Sequence, residues 1–185
     1  MTNENFENKL SQELAKYKLT QKKPNILIAG GTGVGKSSLI NKSFGKNIAK
    51  TDTGTPVTRD LKKYEDKNIP VVLFDTQGYE IGSGKEEEFI SSLDEYLNNT
   101  KNNDNQIHLA WYCIQASGHR VTDFDLKALH TLEKNQVPIA VVLTKSELIS
   151  DSNAESIKNI LKDKWVIFET STQDDRFNDQ LIALI

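Results

Sequence analysis

The stretch GGTGVGKS, residues 30–37, constrains the fold of this 185-residue chain more than any other. It fits the pattern G-x-x-x-x-G-K-[ST], follows the apolar run NILIAG and leads into the helical pattern KSSLINKSF. Glycines allow a tight turn in which successive backbone N–H groups face one anion, and the start of the helix adds a favourable dipole. The stretch therefore predicts a strand, a phosphate-binding loop and a helix, in that order. We call residues 30–37 the phosphate loop.

Two side chains of the phosphate loop suit a nucleoside triphosphate. Lys36 would neutralise oxygens of the β- and γ-phosphates, and the hydroxyl of Ser37 would be a ligand of Mg²⁺. The residues of this segment that we predict to contact the nucleotide are Gly31, Thr32, Gly33, Val34, Gly35, Lys36, Ser37 and Ser38.

Further apolar runs alternate with helical patterns along the chain. Strands are predicted at 25–30, 70–75, 108–116, 137–144 and 165–170, with a weaker one at 60–66. Helices are predicted from residue 36, at 85–97, and after capping patterns at 122–125 and 152–155. Continuous apolar strands that alternate with helices indicate an α/β fold, with a mainly parallel sheet covered on both faces.

Composition limits the class of protein. The chain is 37% apolar and 26% charged, which suits one globular domain with a core. The net charge is −3, and the lysine pairs at 22–23 and 62–63 are too short to form a nucleic-acid-binding patch. No apolar run approaches the roughly 20 residues that a membrane-spanning helix needs. Cys113, inside LAWYCI, is predicted to be a buried core thiol, and a reducing cytoplasmic setting is expected.

The two ends of the chain carry separate helical patterns. Apolar residues recur at helical spacing in 3–17, and TQKKP follows as a linker, which predicts an N-terminal unit at 1–23 and a domain at 24–185. The N-terminal helix would pack on its own domain or dock a partner. The final DQLIALI stops midway through a helical pattern, which leaves open that the chain is part of a longer protein.

Five short motifs together resemble a known family. GGTGVGKSSLIN, TPVTRD, DTQG, TKSE and ETS follow one another in the order and spacing of the motifs of P-loop small GTPases. The phosphate loop and TPVTRD look most like the Era-like bacterial GTPases of the translation-factor-related class. The resemblance covers residues 25–172. It implies a three-layer, Ras-like G domain with a mainly parallel six-stranded sheet, GTP or GDP as ligand, Mg²⁺ as cofactor, and hydrolysis of GTP.

The resemblance also implies roles for two switch segments, 51–59 and 76–84. Thr58 would complete the coordination of Mg²⁺ and sense the γ-phosphate, with Thr55 as the competing candidate. Asp75 would hold Mg²⁺ through a water, and the N–H of Gly78 would contact the γ-phosphate. The implied metal ligands are thus Ser37, Thr58 and Asp75, and the catalytic roles fall to Lys36 and Thr58.

The sequence departs from the family pattern where the attacking water is oriented. Tyr79 stands where Ras-type enzymes have a glutamine, and Gln77 lies two residues earlier. Gly33 stands where some Era-like proteins have a potassium-binding asparagine. Slow intrinsic turnover is therefore expected, with an activator, effector or homodimer supplying charge. The alternatives are a GTP-holding assembly module with little hydrolysis and, less favoured, an ATPase.

The base-reading motif carries a substitution. By resemblance Thr144 would brace the phosphate loop, Lys145 would lie along the base, and the backbone of Ser171, beside Thr172, would meet guanine O6. Glu147 stands where the family usually has aspartate. A carboxylate there accepts the two donors of guanine, whereas adenine presents a bare acceptor at N1. Guanine is therefore favoured, with a weaker grip because glutamate adds a rotatable bond.

Overall fold

The computed structural model describes residues 22–44, 55–58, 61–67, 69–76, 84, 86–117, 121–146, 151–161 and 164–170. The described strands are β1 (Asn25–Gly30), β2 (Thr55–Thr58), β3 (Leu61–Glu65), β4 (Val72–Thr76), β5 (Leu109–Gln115), β6 (Ile139–Thr144) and β7 (Val166–Glu169). The described helices are α1 (Lys36–Phe44), α2 (Glu86–Thr100), α3 (Asp123–Lys134) and α4 (Asp151–Leu161).

The strands form one sheet in the order β2-β3-β4-β1-β5-β6-β7. Five neighbouring strands, β4, β1, β5, β6 and β7, run parallel. Beyond β4 the sheet continues with β3 and β2, each paired antiparallel to its neighbour. The carboxyl ends of the five parallel strands therefore share one edge. The chain turns from β1 into α1 at this edge, between β4 and β5. Such a position is where open α/β sheets bind their ligands.

The core lies on both faces of the sheet. On one face, residues such as Leu27 and Phe74 pack with apolar side chains of α2, α3 and α4. On the other face, Ile28 and Trp111 pack with Leu39 of α1. The predicted three-layer α/β architecture, with helices on both faces, is confirmed. Within the described residues, none of the helices has the length and apolar character that crossing a membrane requires.

The sheet has one more strand than predicted. The additional strand is β2, which lies inside the switch segment 51–59, where no strand was predicted. Its pairing with β3 is irregular between Pro56 and Thr58. TPVT has threonine at two of its four positions and proline at a third, so it lacks the apolar run that marks a buried strand, and among the described strands it pairs with β3 alone.

Of the two helix starts predicted from capping patterns, one lies at the predicted residue and the other is shifted by one residue. The cap of α3 is present, because the Thr122 hydroxyl accepts from the backbone N–H of Asp125 at 3.2 Å and the Asp125 carboxylate accepts from the N–H of Thr122 at 2.8 Å. Helix α4 begins at Asp151, one residue before the cap predicted at Ser152. The predicted helix at 3–17 lies outside the described residues.

Candidate functional site

The phosphate loop approaches β5 closely where it leaves β1. Gly30 has φ 139°, in the region that favours glycine, and pairs in register with Cys113. A Cβ added at Gly30 would lie 2.3 Å from the carbonyl oxygen of Cys113, which is inside contact distance. Gly33, at φ 76°, has nothing within 4 Å of its added Cβ. Gly30 is therefore needed for space as well as for conformation, whereas Gly33 is needed for conformation alone.

This difference gives a matched pair of substitutions. We expect Gly30→Ala to lower the free energy of unfolding by about 3 kcal/mol, since the strained φ and the backbone clash both oppose the alanine. Gly33→Ala should cost about 1 kcal/mol, because it meets strain without a clash. Urea unfolding of the nucleotide-free proteins measures both values. Equal losses in the two variants would contradict the close approach of the loop to β5.

Lys36 begins α1 and turns its ammonium back over the loop. Its side chain is buried, and Nζ donates to the carbonyl oxygens of Gly30 at 2.8 Å and Gly31 at 3.0 Å. Burial lowers the pKa of Lys36, while the charge of Asp75 acts in the opposite direction. The loop therefore holds a partly desolvated cation, the state in which a charge interacts most strongly with phosphate oxygens.

Asp75 lies one residue before the end of β4, beside the phosphate loop. Its Oδ1 is buried and has no hydrogen-bond partner among the described residues. Burial raises the pKa of Asp75 to about 6, and Lys36 and then Lys62, its partner in the β3–β4 register, act to lower it. A buried carboxylate oxygen that lacks a donor fits a cation or its bound water. The chemistry of this position therefore suits the Mg²⁺ role that the family resemblance implies.

The end of β6 is tied to the phosphate loop by two side chains. The buried Thr144 donates its hydroxyl to the carbonyl of Val34. Lys145 donates from Nζ to the carbonyl oxygen of Gly33 at 2.9 Å. Lys145 also has φ 56°, the left-handed conformation that non-glycine residues rarely adopt. These bonds make the phosphate loop and the start of the TKSE segment one structural unit.

A second set of bonds joins the TKSE and ETS segments. Ser146 donates to the carbonyl oxygen of Thr170 twice, from its backbone N at 3.0 Å and from its hydroxyl at 2.9 Å. The N–H of Thr170 donates in turn to the carbonyl of Leu143 at 2.7 Å. The described parts of the two segments predicted to read the base, residues 144–146 and 169–170, therefore lie side by side at the sheet edge that carries the phosphate loop.

The predicted site residues fall into three groups. The phosphate loop, Asp75, Thr144 and Lys145 are brought together at one edge. The backbone of Thr58 pairs with Leu61, which pairs with Thr76, so two strand spacings separate Thr58 from β4, about 10 Å. Outside the described residues lie Gly78, Glu147, Ser171 and Thr172, together with Gln77 and Tyr79.

The sequence did not predict a role for two residues at this edge. Lys62 faces Asp75 across the β3–β4 pair, and Gln115, the last residue of β5, accepts from Lys145 at 3.0 Å. Both contacts depend on strand register, which local patterns do not define. The one available signal was the polar Gln115 at the end of the apolar run LAWYCI, next to the predicted site edge.

A phosphate loop at the switch point of a mainly parallel sheet, with a buried lysine and a strand-end aspartate, defines a P-loop nucleoside-triphosphate-binding domain. The family model described as 50S ribosome-binding GTPase matches residues 25–145. The chain belongs to this family and is a GTP-binding P-loop GTPase. The resemblance to GTPases of the translation-factor-related class is thereby confirmed.

Comparison with individual proteins shows how much of the chain is similar to each of them. The probable GTP-binding protein EngB of Leuconostoc citreum is 31% identical over 162 residues, which are 85% of this chain and 80% of that protein. Septin-14 of Mus musculus is 29% identical over 157 residues, with 73% of this chain but only 36% of the septin covered. A crystal structure of a probable GTP-binding protein engB superposes with a TM-score of 0.62 at 20% identity, over 86% of this chain and 95% of that one, which shows a shared fold.

Proposed function

We propose that this GTPase binds Mg²⁺-GTP at the carboxyl edge of the sheet and acts as a nucleotide-dependent switch with slow intrinsic turnover. The observation that carries the proposal is the bonding of Thr144 and Lys145 to phosphate-loop carbonyls. These bonds fix the distance between the phosphate site and the base site, so one nucleotide can engage both. The bonds from Ser146 to Thr170 support a composite base site of the kind found in guanine-nucleotide proteins.

The nucleotide contacts follow from the same arrangement. Backbone N–H groups from Gly31 to Ser38 would surround the phosphates, and Lys36 would exchange its bonds to loop carbonyls for bonds to phosphate oxygens. Gly78 would meet the γ-phosphate. Glu147, Ser171 and Thr172 would complete the base site.

The metal would be held by few protein groups. Ser37, whose side chain is exposed, and Thr58 would supply hydroxyls, and Asp75 would act through water. Mg²⁺ commonly takes one or two carboxylates together with waters and substrate phosphates, which matches a site with one strand-end aspartate. When bound, the metal would neutralise charge on the phosphate oxygens. Thr58 would approach the metal from β2, whose backbone lies about 10 Å from β4 at this point.

A switch with slow turnover implies an outside partner. Tyr79 follows Gly78 where a water-orienting glutamine would act, so we propose that an effector, an activator or a second copy accelerates hydrolysis. We also propose that the protein is an Era-like GTPase and that it acts in the cytoplasm. The buried free thiol of Cys113 suits a reducing compartment.

Titration with GTP, GDP and ATP, followed by turnover assays at increasing protein concentration, tests the proposal. We expect micromolar or tighter binding of both guanine nucleotides, weak binding of ATP, and a rate per molecule that rises with protein concentration or with an added partner. Tight GTP binding without phosphate release under any condition would favour the assembly module. Preference for ATP would overturn the guanine assignment.

Glu147 offers a direct test of the base site. We expect Glu147→Asp to tighten binding of GTP and GDP by about fivefold, since the shorter side chain loses less rotamer entropy when it accepts both guanine donors. ATP binding should not change. Fluorescence titration measures the three affinities. A gain for ATP instead would show that Glu147 does not face the guanine edge.

A further inference from the structure

We infer that Gln115 is a positioning residue for guanine-nucleotide binding, which acts by holding Lys145 between the phosphate loop and the base site. The inference rests on the proposed function of that site. Gln115 is half-buried at the carboxyl end of β5, and its register partner on β6 is Thr144. The peptide after Gln115 is tied to the same strand, because the N–H of Ala116 donates to the carbonyl of Thr144 at 2.9 Å.

The Gln115 amide uses both of its ends. Its Oε1 accepts from Lys145 Nζ at 3.0 Å, and its Nε2 donates to the carbonyl of Ser117 at 3.0 Å and to the hydroxyl of Ser117 at 3.1 Å. An ammonium can only donate and a carbonyl can only accept, so these partners determine the orientation of the amide. The result is a continuous chain of bonds from Ser117 through Gln115 and Lys145 to Gly33.

Lys145 needs such a support. Its backbone is in the left-handed region, which costs free energy and persists only where surrounding contacts impose it. Its side chain is long and half-buried, so without a fixed acceptor the ammonium would sample many rotamers. With Gly33 and Gln115 as two acceptors, the ammonium is held in one place and the stem of Lys145 keeps a fixed course.

The consequence is a preorganised site. A nucleotide that binds across the phosphate loop and the base segment does not have to order Lys145 first, so the cost of binding is lower. GDP and GTP differ only at the γ-phosphate, far from the base, and the effect should be the same for both. Gln115 would therefore set overall guanine-nucleotide affinity without setting the preference between GDP and GTP.

Three variants separate this role from simple support of the loop after β5. Gln115→Met removes all three hydrogen bonds of the amide at similar size. Gln115→Glu keeps an acceptor for Lys145 but loses the donor to Ser117, and Gln115→Asn withdraws the amide from Lys145 by one methylene. We expect Gln115→Met and Gln115→Asn to bind fluorescent GDP and GTP about tenfold more weakly, mainly through faster dissociation. Gln115→Glu should stay within about threefold of the wild type.

A double-mutant cycle with Lys145→Met decides the inference. If Gln115 acts through Lys145, Gln115→Met should have almost no further effect on affinity in the Lys145→Met protein. An equal loss in both backgrounds, or a Gln115→Glu protein as weak as Gln115→Met, would overturn the inference. If Gln115→Met does not fold, the comparison of Gln115→Glu with Gln115→Asn gives the same decision. A wild-type protein that binds neither GDP nor GTP would overturn the proposed function itself, whereas normal wild-type binding with insensitive Gln115 variants overturns only the role of Gln115.

Discussion

Lys36→Ala is expected to weaken binding of GTP and GDP by at least about a hundredfold. The ammonium of Lys36 is already buried and held by the carbonyls of Gly30 and Gly31, so it needs little reorganisation to meet the phosphates. Burial has also removed much of its hydration, as the lowered pKa of Lys36 indicates. Isothermal titration with each nucleotide measures the loss.

The control for this variant is Lys42→Ala in the last turn of the same helix. It removes an equal charge at the far end of α1, so its nucleotide affinities should stay near those of the wild type. Unfolding curves for both variants show whether the fold is retained. If Lys36→Ala bound GTP as tightly as the wild type does, the assignment of residues 30–37 as the phosphate site would be wrong.

The sequence predicted the central part of this fold because the relevant signals are local. β1, the phosphate loop and α1 are marked by an apolar run, glycines and a helical pattern, and the structure has them at the predicted residues. β5 and β6 are long apolar runs that can only be buried, so their existence was equally clear. The edge strand β2 was missed because TPVT has no such run and is defined by its pairing with β3.

The residues of the candidate site could be predicted, but of their contacts only that of Thr144 with the phosphate loop was expected, from the family resemblance. The motifs identified Lys36, Asp75, Thr144 and Lys145, because each has a fixed place in a short pattern. The connection between Lys145 and Gln115 spans 30 residues and arises from the parallel register of β5 with β6. Likewise, Lys62 faces Asp75 only because of the β3–β4 register. Such pairings depend on tertiary structure, which one sequence read by local pattern does not give.

Asp75→Asn is expected to make GTP binding nearly independent of Mg²⁺ and to lower GTP hydrolysis by about a hundredfold. The amide keeps the size of the side chain but removes the charge of the buried Oδ1, which has no hydrogen-bond partner among the described residues. Affinity for GTP, titrated from excess chelator to millimolar Mg²⁺, measures the first effect, and phosphate release measures the second. Asp104→Asn, at an exposed aspartate near the opposite edge of the sheet, is the matched control.

A comparison of Asp75→Asn with the wild type also tests how burial affects the pKa of Asp75. In the protein free of nucleotide and metal, burial raises the pKa of Asp75 from 3.8 to about 6. Between these values the folded protein binds more protons than the unfolded chain does, so the contribution of Asp75 to stability falls as the pH rises. Relative to the wild type, Asp75→Asn should therefore gain about 2 kcal/mol of unfolding free energy between about pH 4 and pH 7. If the difference in unfolding free energy between Asp75→Asn and the wild type does not change with pH, Asp75 is hydrated in the folded protein. If Asp75→Asn still requires Mg²⁺ to bind GTP as the wild type does, Asp75 is not part of the metal site.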